Sequence, residues 1–155
     1  MSGGAPSVRR LSAAALLLLL AACASNPGAP ITDPAPADRA AGYALKMVGK
    51  PYRYGGSTPS GFDCSGLVQY SYKRAGVTLP RSANGLLKAS QPLRGAHLRP
   101  GDLLFFDELG KKKSHVGLYL GEGRFVHAPS SGKRVRTDRV DSPYWRKHLS
   151  EARRV

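Results

Sequence analysis

Residues 115–128, HVGLYLGEGRFVHA, alternate apolar and small or polar positions on both sides of GEG. Period-two alternation flanking a glycine-rich centre describes a β-hairpin. With GEG as a three-residue loop carrying a left-handed glycine, Leu120 faces Arg124 and Gly117 faces His127. Side chains alternate, so His115 shares the face of Gly117. The two histidines then become diagonal neighbours, with backbones about 7–8 Å apart. Gly117 has no side chain and leaves room between the rings. A slip of one residue would turn the rings to opposite faces, so the register decides whether they meet.

The elements before the hairpin have a different period. ADRAAGYALKMVG spaces Ala40, Ala44, Met47 and Val48 near helical intervals, with Asp38 as N-cap and Gly49 as stop. Pro51 blocks continuation, and PYRYGG is expected to be extended, ending in a tight turn at Gly55 and Gly56. From Cys64 to Ala75, Leu67, Val68, Tyr72 and Ala75 form a buried helical stripe that Gly76 closes. A short helix is expected around Ser82–Ala89. After the turn RPGD, LLFF is an apolar strand, and KRVRT is a further alternating strand beyond the hairpin. KKK at 111–113 has the composition of a solvated loop. Helices first and strands later predict an α+β domain, with N-terminal helices packed on an antiparallel sheet.

The chain opens with a leader. Arg9 and Arg10 precede the apolar run LSAAALLLLLAA, which is too short for a membrane span of roughly 20 residues. LAAC, Leu20 to Cys23, resembles the lipobox of bacterial lipoproteins, which implies cleavage before Cys23 and a lipid on its sulfur. The expected parts are thus a leader at 1–22, the lipidated Cys23 with a Pro-rich linker at 23–38, and a domain at 39–155. Extended at about 3.1 Å per residue, the linker reaches ~45 Å. Ala24, rather than an aspartate, follows the cysteine, which favours the periplasmic face of the outer membrane.

Losing Arg9 and Arg10 with the leader takes the net charge from +14 to +12. That excess seeks anionic surroundings. Export argues against nucleic acid, and no helix shows a basic face interleaved with aromatics. Phospholipid head groups and cell-wall carboxylates are the expected partners.

Cys64 and Cys23 are the only two cysteines. If Cys23 carries lipid, Cys64 has no intrachain partner and is either inert in the core or reactive. Asp63 precedes it, so the thiol belongs at the first turn of a helix. The macrodipole and free N–H groups there are expected to lower its pKa. Asp63 itself is either an N-cap or a substrate contact. Two histidines on one face are metal ligands or a base with an orienting partner. A zinc site wants three or four protein ligands, and neither HExxH nor CxxC is present. In the nucleophilic reading His115 activates Cys64, and His127 holds the far nitrogen of His115. No cofactor is called for.

PYRYGG, GFDCSGLVQYSY, LPRS, RPGDLLFF, HVGLYLGEGRFVHA and PYWRKHLSEARRV together resemble the NlpC-type peptidoglycan cysteine peptidases, and within them the outer-membrane murein endopeptidase lipoproteins. The resemblance implies a compact papain-like fold over residues 39–155. It makes Cys64 the nucleophile, His115 the base, His127 the polar third residue and Tyr52 an oxyanion donor. Tyr54 is assigned to the core. Asp63, Ser65 and Arg81 are implied substrate contacts, with Arg81 meeting either a substrate carboxylate or simply a surface partner. His97 and His148 match no motif and are expected at the surface. Where relatives carry glutamine after LPR, this chain has Leu86 and Leu87, a departure that bears on the groove. The implied reaction is cleavage of D-alanyl–diaminopimelate cross-links in peptidoglycan stem peptides. The alternatives are the γ-D-glutamyl–diaminopimelate bond or a non-catalytic wall-binding module.

Overall fold

The computed structural model describes residues 1–4, 34–94, 97–130 and 134–155. The apolar run of the leader, Cys23 and residues 24–33 lie outside the described residues. Residues 34–155 fold as one unit. Among the described residues no helix is long and apolar enough to cross a membrane.

Helix α1 spans Pro36–Leu45, starting inside the stretch expected to be linker. Proline at the first helical position is pre-set for helical φ and needs no N–H partner, so it moves the start ahead of Asp38. Asp38 therefore sits in the first turn rather than capping it, with Ala35 at the N-cap. Two short strands follow, β1 at Ser57–Thr58 and β2 at Gly61–Phe62, paired antiparallel. They fold the chain back so that Phe62, fully buried, anchors the entry to the next helix.

Helix α2 runs Cys64–Arg74. Asp63 caps it, its carboxylate accepting the Gly66 N–H at 2.7 Å. Lys73 and Arg74 complement the dipole at the other end. Leu67, Val68, Tyr72 and Ala75 are buried as a stripe. Helix α3, Ala83–Lys88, is capped by Ser82. It buries Leu86 completely in the core and packs Leu87 against it. Leu86 therefore stabilises the helix layer and does not shape a surface groove.

The remaining elements are β3 (Gln91–Pro92), β4 (Leu103–Glu108), β5 (Lys111–Gly121), β6 (Arg124–His127), β7 (Arg136–Arg139), α4 (Pro143–His148) and β8 (Leu149–Arg154). The six strands form one antiparallel sheet in the order β3-β8-β4-β5-β6-β7. This is the α+β architecture expected from the order of periodicities. Lys111–Lys113 begin β5 instead of forming a loop, because a two-residue turn at Leu109 and Gly110 (φ 52° and 72°) lets Glu108 pair with Lys111. Their backbones belong to the hairpin while Lys111 and Lys112 stay in water.

Alternation sorts the sheet's side chains into two cores. Leu103, Phe105, Val116, Leu118 and Val126 face α1, α2 and α3. Leu104, Phe106 and Phe125 face Trp145 of α4. The second, aromatic core forms the bed on which the two histidines lie.

Candidate active site

The β5–β6 hairpin pairs Leu118 with Val126 and Tyr119 with Phe125, which sets Gly117 opposite His127. The turn differs from the expected three-residue loop. Gly121 pairs with Arg124 across Glu122 and Gly123, both with positive φ, and a bulge beside Gly121 absorbs the extra residue. The register beyond the bulge is unchanged. A Cβ on Gly117 would lie 2.7 Å from the Phe125 ring and 3.2 Å from the His127 Cβ, so glycine there permits the packing of the two rings.

His115 Nε2 and His127 Nδ1 lie 2.8 Å apart, with the rings nearly perpendicular. Both residues are buried. On the far side, His127 Nε2 is 2.9 Å from Asp138 Oδ2. The same oxygen accepts from Arg136 Nε and Trp145 Nε1, each at 3.0 Å. Trp145 stacks on His115 at 5.7 Å and meets His127 edge-on at 4.8 Å. Glu108 Oε2 lies 3.5 Å from His115 Nδ1, and its other oxygen accepts from the Tyr144 hydroxyl.

Cys64 is half-buried and free. It lines a pocket of about 290 Å³ together with His115, Tyr52, Glu108, Ser114 and Ala128. The helix start delivers the sulfur, and the hairpin delivers the imidazole. A second hollow of about 560 Å³ adjoins it, lined by Tyr52, Tyr54, Asp63, Cys64, Ser65 and Arg81. Here Arg81 donates to Ser65 Oγ at 3.0 Å, Asp63 Oδ2 at 2.7 Å and the Gly56 carbonyl at 3.2 Å. Asp63, Ser65 and Arg81 thus form one polar wall beside the thiol, and Asp63 is N-cap and ion-pair partner at once. Tyr54 is 90% exposed rather than in the core, because the chain reverses at Gly55 (φ 71°) and carries the ring outward at the turn. His97 is exposed and His148 partly so.

The thiol departs from the expected low pKa. Burial pushes Cys64 up, and the Asp63 charge adds to this. The backbone N–H groups of Val116, Ser65 and Cys64 oppose the rise without cancelling it. Burial also pushes Tyr52 up, so its hydroxyl keeps its proton. His115 and His127 are both driven below the ordinary 6.5, chiefly by burial. At rest near neutrality the site therefore holds a neutral thiol and two neutral imidazoles. No group of three or more metal-ligating side chains occurs among the described residues.

Among known sequences, the pattern of the NlpC/P60 family matches residues 49–154. The chain belongs to the NlpC/P60 family. Murein DD-endopeptidase MepH of Escherichia coli (strain K12) is 42% identical over 116 residues, covering 72% of this chain and 43% of MepH. Bifunctional muramidase/DL-endopeptidase CwlT of Bacillus subtilis (strain 168) is 44% identical over 115 residues, covering 72% of this chain and 34% of CwlT. The chain spans less than half the length of these two relatives. The structure of RipD from Mycobacterium tuberculosis, a non-catalytic NlpC/p60 domain adapted to peptidoglycan binding, superposes with a TM-score of 0.64 at 27% identity. That similarity covers 79% of this chain and 98% of RipD. The NlpC/P60 relationship supports a peptidoglycan-directed hydrolase, within a family that also includes a pure binder.

Sequence reasoning missed Asp138, Trp145 and Glu108 in this NlpC/P60 site. The alternation of RVRTDR could have placed Asp138 on the His127 face once the β6–β7 register was known. Residues 128–135 separate those strands, too many for a two-residue hairpin turn to fix the register.

The depressed imidazoles make a stability prediction. Below pH 6.5 the unfolded chain takes up protons that the folded rings resist, so stability present above 6.5 is lost as pH falls. Asp138, held below its ordinary value by hydrogen bonds from His127 and Arg136 despite burial, extends the loss to still lower pH. Melting temperature measured from pH 8 to pH 4 should fall most steeply below 6.5. Replacing His115 with glutamine should flatten that slope, and an unchanged slope would mean that the ring is not buried in its neutral form.

Proposed function

We propose that this chain is a cysteine-type endopeptidase that cleaves amide bonds in peptidoglycan stem peptides. The observation that carries the reading is the shared pocket of Cys64 and His115, with His115 tied to His127 at 2.8 Å. In this reading Cys64 Sγ gives its proton to His115 as the sulfur attacks the scissile carbonyl carbon. The resulting oxyanion receives hydrogen bonds from the Cys64 backbone N–H and the Tyr52 hydroxyl. His115 then passes the proton to the leaving amine, and the C–N bond breaks to leave a thioester. His115 next takes a proton from water, which attacks the thioester. The acid product departs and the thiol is restored. A neutral starting pair suits this route, because proton transfer accompanies attack instead of preceding it.

The polar wall of Asp63, Ser65 and Arg81 is proposed to receive the polar backbone and charged groups of the stem peptide. The +12 charge without the leader suits a carboxylate-rich wall. Cleavage of the D-alanyl–diaminopimelate cross-link is the favoured reaction, as in an outer-membrane lipoprotein anchored through Cys23. MepH, a DD-endopeptidase, supports that bond. The relationship to CwlT, a DL-endopeptidase, supports the γ-D-glutamyl–diaminopimelate bond as the second reading. RipD motivates a third, a binder without chemistry.

Purified sacculi incubated with the protein, followed by chromatography and mass spectrometry of the muropeptides, separate the three. Disappearance of cross-linked dimers in favour of monomers is the expected result. Shortened stems would assign the γ-D-glutamyl cut, and an unchanged profile with protein bound to the sacculi would overturn the hydrolase reading.

A further inference from the structure

We propose that Asp138 is a positioning residue whose carboxylate sets which nitrogen of each imidazole carries the proton, leaving His115 Nδ1 bare as the base for Cys64. The inference rests on the reading of Cys64 and His115 as nucleophile and base. Two neutral imidazoles joined by a single N···N contact can be polarised in either direction. His115 Nε2 can donate to His127 Nδ1, or the reverse, and the pair alone does not choose.

Asp138 breaks that symmetry. Its Oδ2 meets His127 Nε2 at 2.9 Å, Arg136 Nε at 3.0 Å and Trp145 Nε1 at 3.0 Å. Guanidinium and indole N–H groups can only donate, so this oxygen is an acceptor. His127 must then carry its proton on Nε2, which leaves Nδ1 as a lone pair. That lone pair, 2.8 Å from His115 Nε2, can only accept, so His115 is also protonated on Nε2. The lone pair of His115 is thereby assigned to Nδ1.

A second carboxylate pulls the other way. Glu108 Oε2, on β4, lies 3.5 Å from His115 Nδ1 and would favour a proton there, which would block the base. The Asp138 contact is shorter and forms a charge-assisted hydrogen bond, so the relay is polarised towards β7. Trp145 holds the arrangement by donating to the same oxygen while stacking on His115. When the thiol proton reaches His115 Nδ1, the positive charge on that ring is balanced through His127 by Asp138. No proton has to move onto the carboxylate.

The direct test is ¹⁵N NMR of histidine-labelled protein at pH 7, which reports which ring nitrogen is protonated. The wild type is expected to show Nε2–H on both rings, and a proton on His115 Nδ1 would overturn the proposal by itself. In Asp138→Ala, His115 is expected to shift towards Nδ1–H, drawn by Glu108. Wild-type tautomers in folded Asp138→Ala would refute the assignment. Asp138→Asn keeps an oxygen for the three donors and should retain Nε2–H. If it adopts Nδ1–H instead, the acceptor role of that oxygen is wrong.

On muropeptide substrate, kcat of Asp138→Ala should fall ~10- to 100-fold with KM within about twofold, and Asp138→Asn should recover part of the loss. A rise in KM at constant kcat would mark Asp138 as a binding residue instead. The spectra need no substrate. Absence of hydrolysis with the expected tautomers would therefore sink the hydrolase reading while leaving the polarity of the relay in place.

Discussion

Cys64→Ala is expected to lower the rate of muropeptide cleavage by about 10⁴-fold or more while leaving the fold intact. Removing the sulfur removes the atom that forms the acyl intermediate in the proposed mechanism. Water cannot substitute, because the neutral imidazole of His115 would have to activate it without a positioned nucleophile. The cost to stability should be small. The thiol is only half-buried, so the melting temperature should stay within about 3 °C. Binding to sacculi should persist, since Asp63, Ser65 and Arg81 remain. A variant that still releases products at a tenth of the wild-type rate would exclude Cys64 as the nucleophile.

Gly66→Ala is expected to cause a large loss of stability for a single added methyl. A Cβ at Gly66 would lie 2.0 Å from the Gly56 carbonyl oxygen and 2.9 Å from Asp63 Oδ1. The first of these is backbone and cannot rotate away. That carbonyl already accepts from the Asp63 N–H at 3.0 Å and from Arg81. Pushing it aside breaks the seam between the turn at Arg53–Gly56 and the start of α2, and also disturbs the polar wall beside the thiol. The expected cost is about 3 kcal/mol, at the upper end for overpacking. For a domain of this size that corresponds to a fall of roughly 10 °C in melting temperature, with activity lost in parallel. Gly42→Ala is the contrast. It lies mid-helix in α1 with nothing within 4 Å of the new methyl, and should stabilise by about 0.5–1 kcal/mol. Thermal melts of the two variants read both effects. A Gly66→Ala protein as stable as the parent would show that the α2 start is not packed against Gly56.

The features legible in the sequence are those fixed by local geometry. Alternation around GEG specified the hairpin faces, and the face assignment survived an error in the turn because the bulge at Gly121 absorbed one residue. The helix at Cys64 was legible because Asp63 caps it and Leu67, Val68 and Tyr72 form its stripe. Properties set by distant chain were not. The helix dipole predicts a low thiol pKa, yet burial by the rest of the domain outweighs it. Tyr54 is as apolar as a core residue, but a left-handed glycine beside it turns it into solvent. Lys111–Lys113 have loop composition, but the Leu109–Gly110 turn commits them to a strand. Asp138 and Trp145 reach the imidazoles only through the β6–β7 register and the return of α4, neither of which has a local marker.

The central claim is that Cys64 and His115 act as one acid–base pair. The rate at which iodoacetamide alkylates Cys64, followed by mass spectrometry of the peptide carrying it from pH 5 to pH 10, measures that coupling without any substrate. Because burial raises the thiol pKa, reaction near pH 7 requires a base to take the proton. Wild type should then react on the order of 100-fold faster than His115→Gln, the two curves converging at high pH where the thiol ionises unaided. Superimposable curves across the whole range would show that the imidazole does not serve the sulfur.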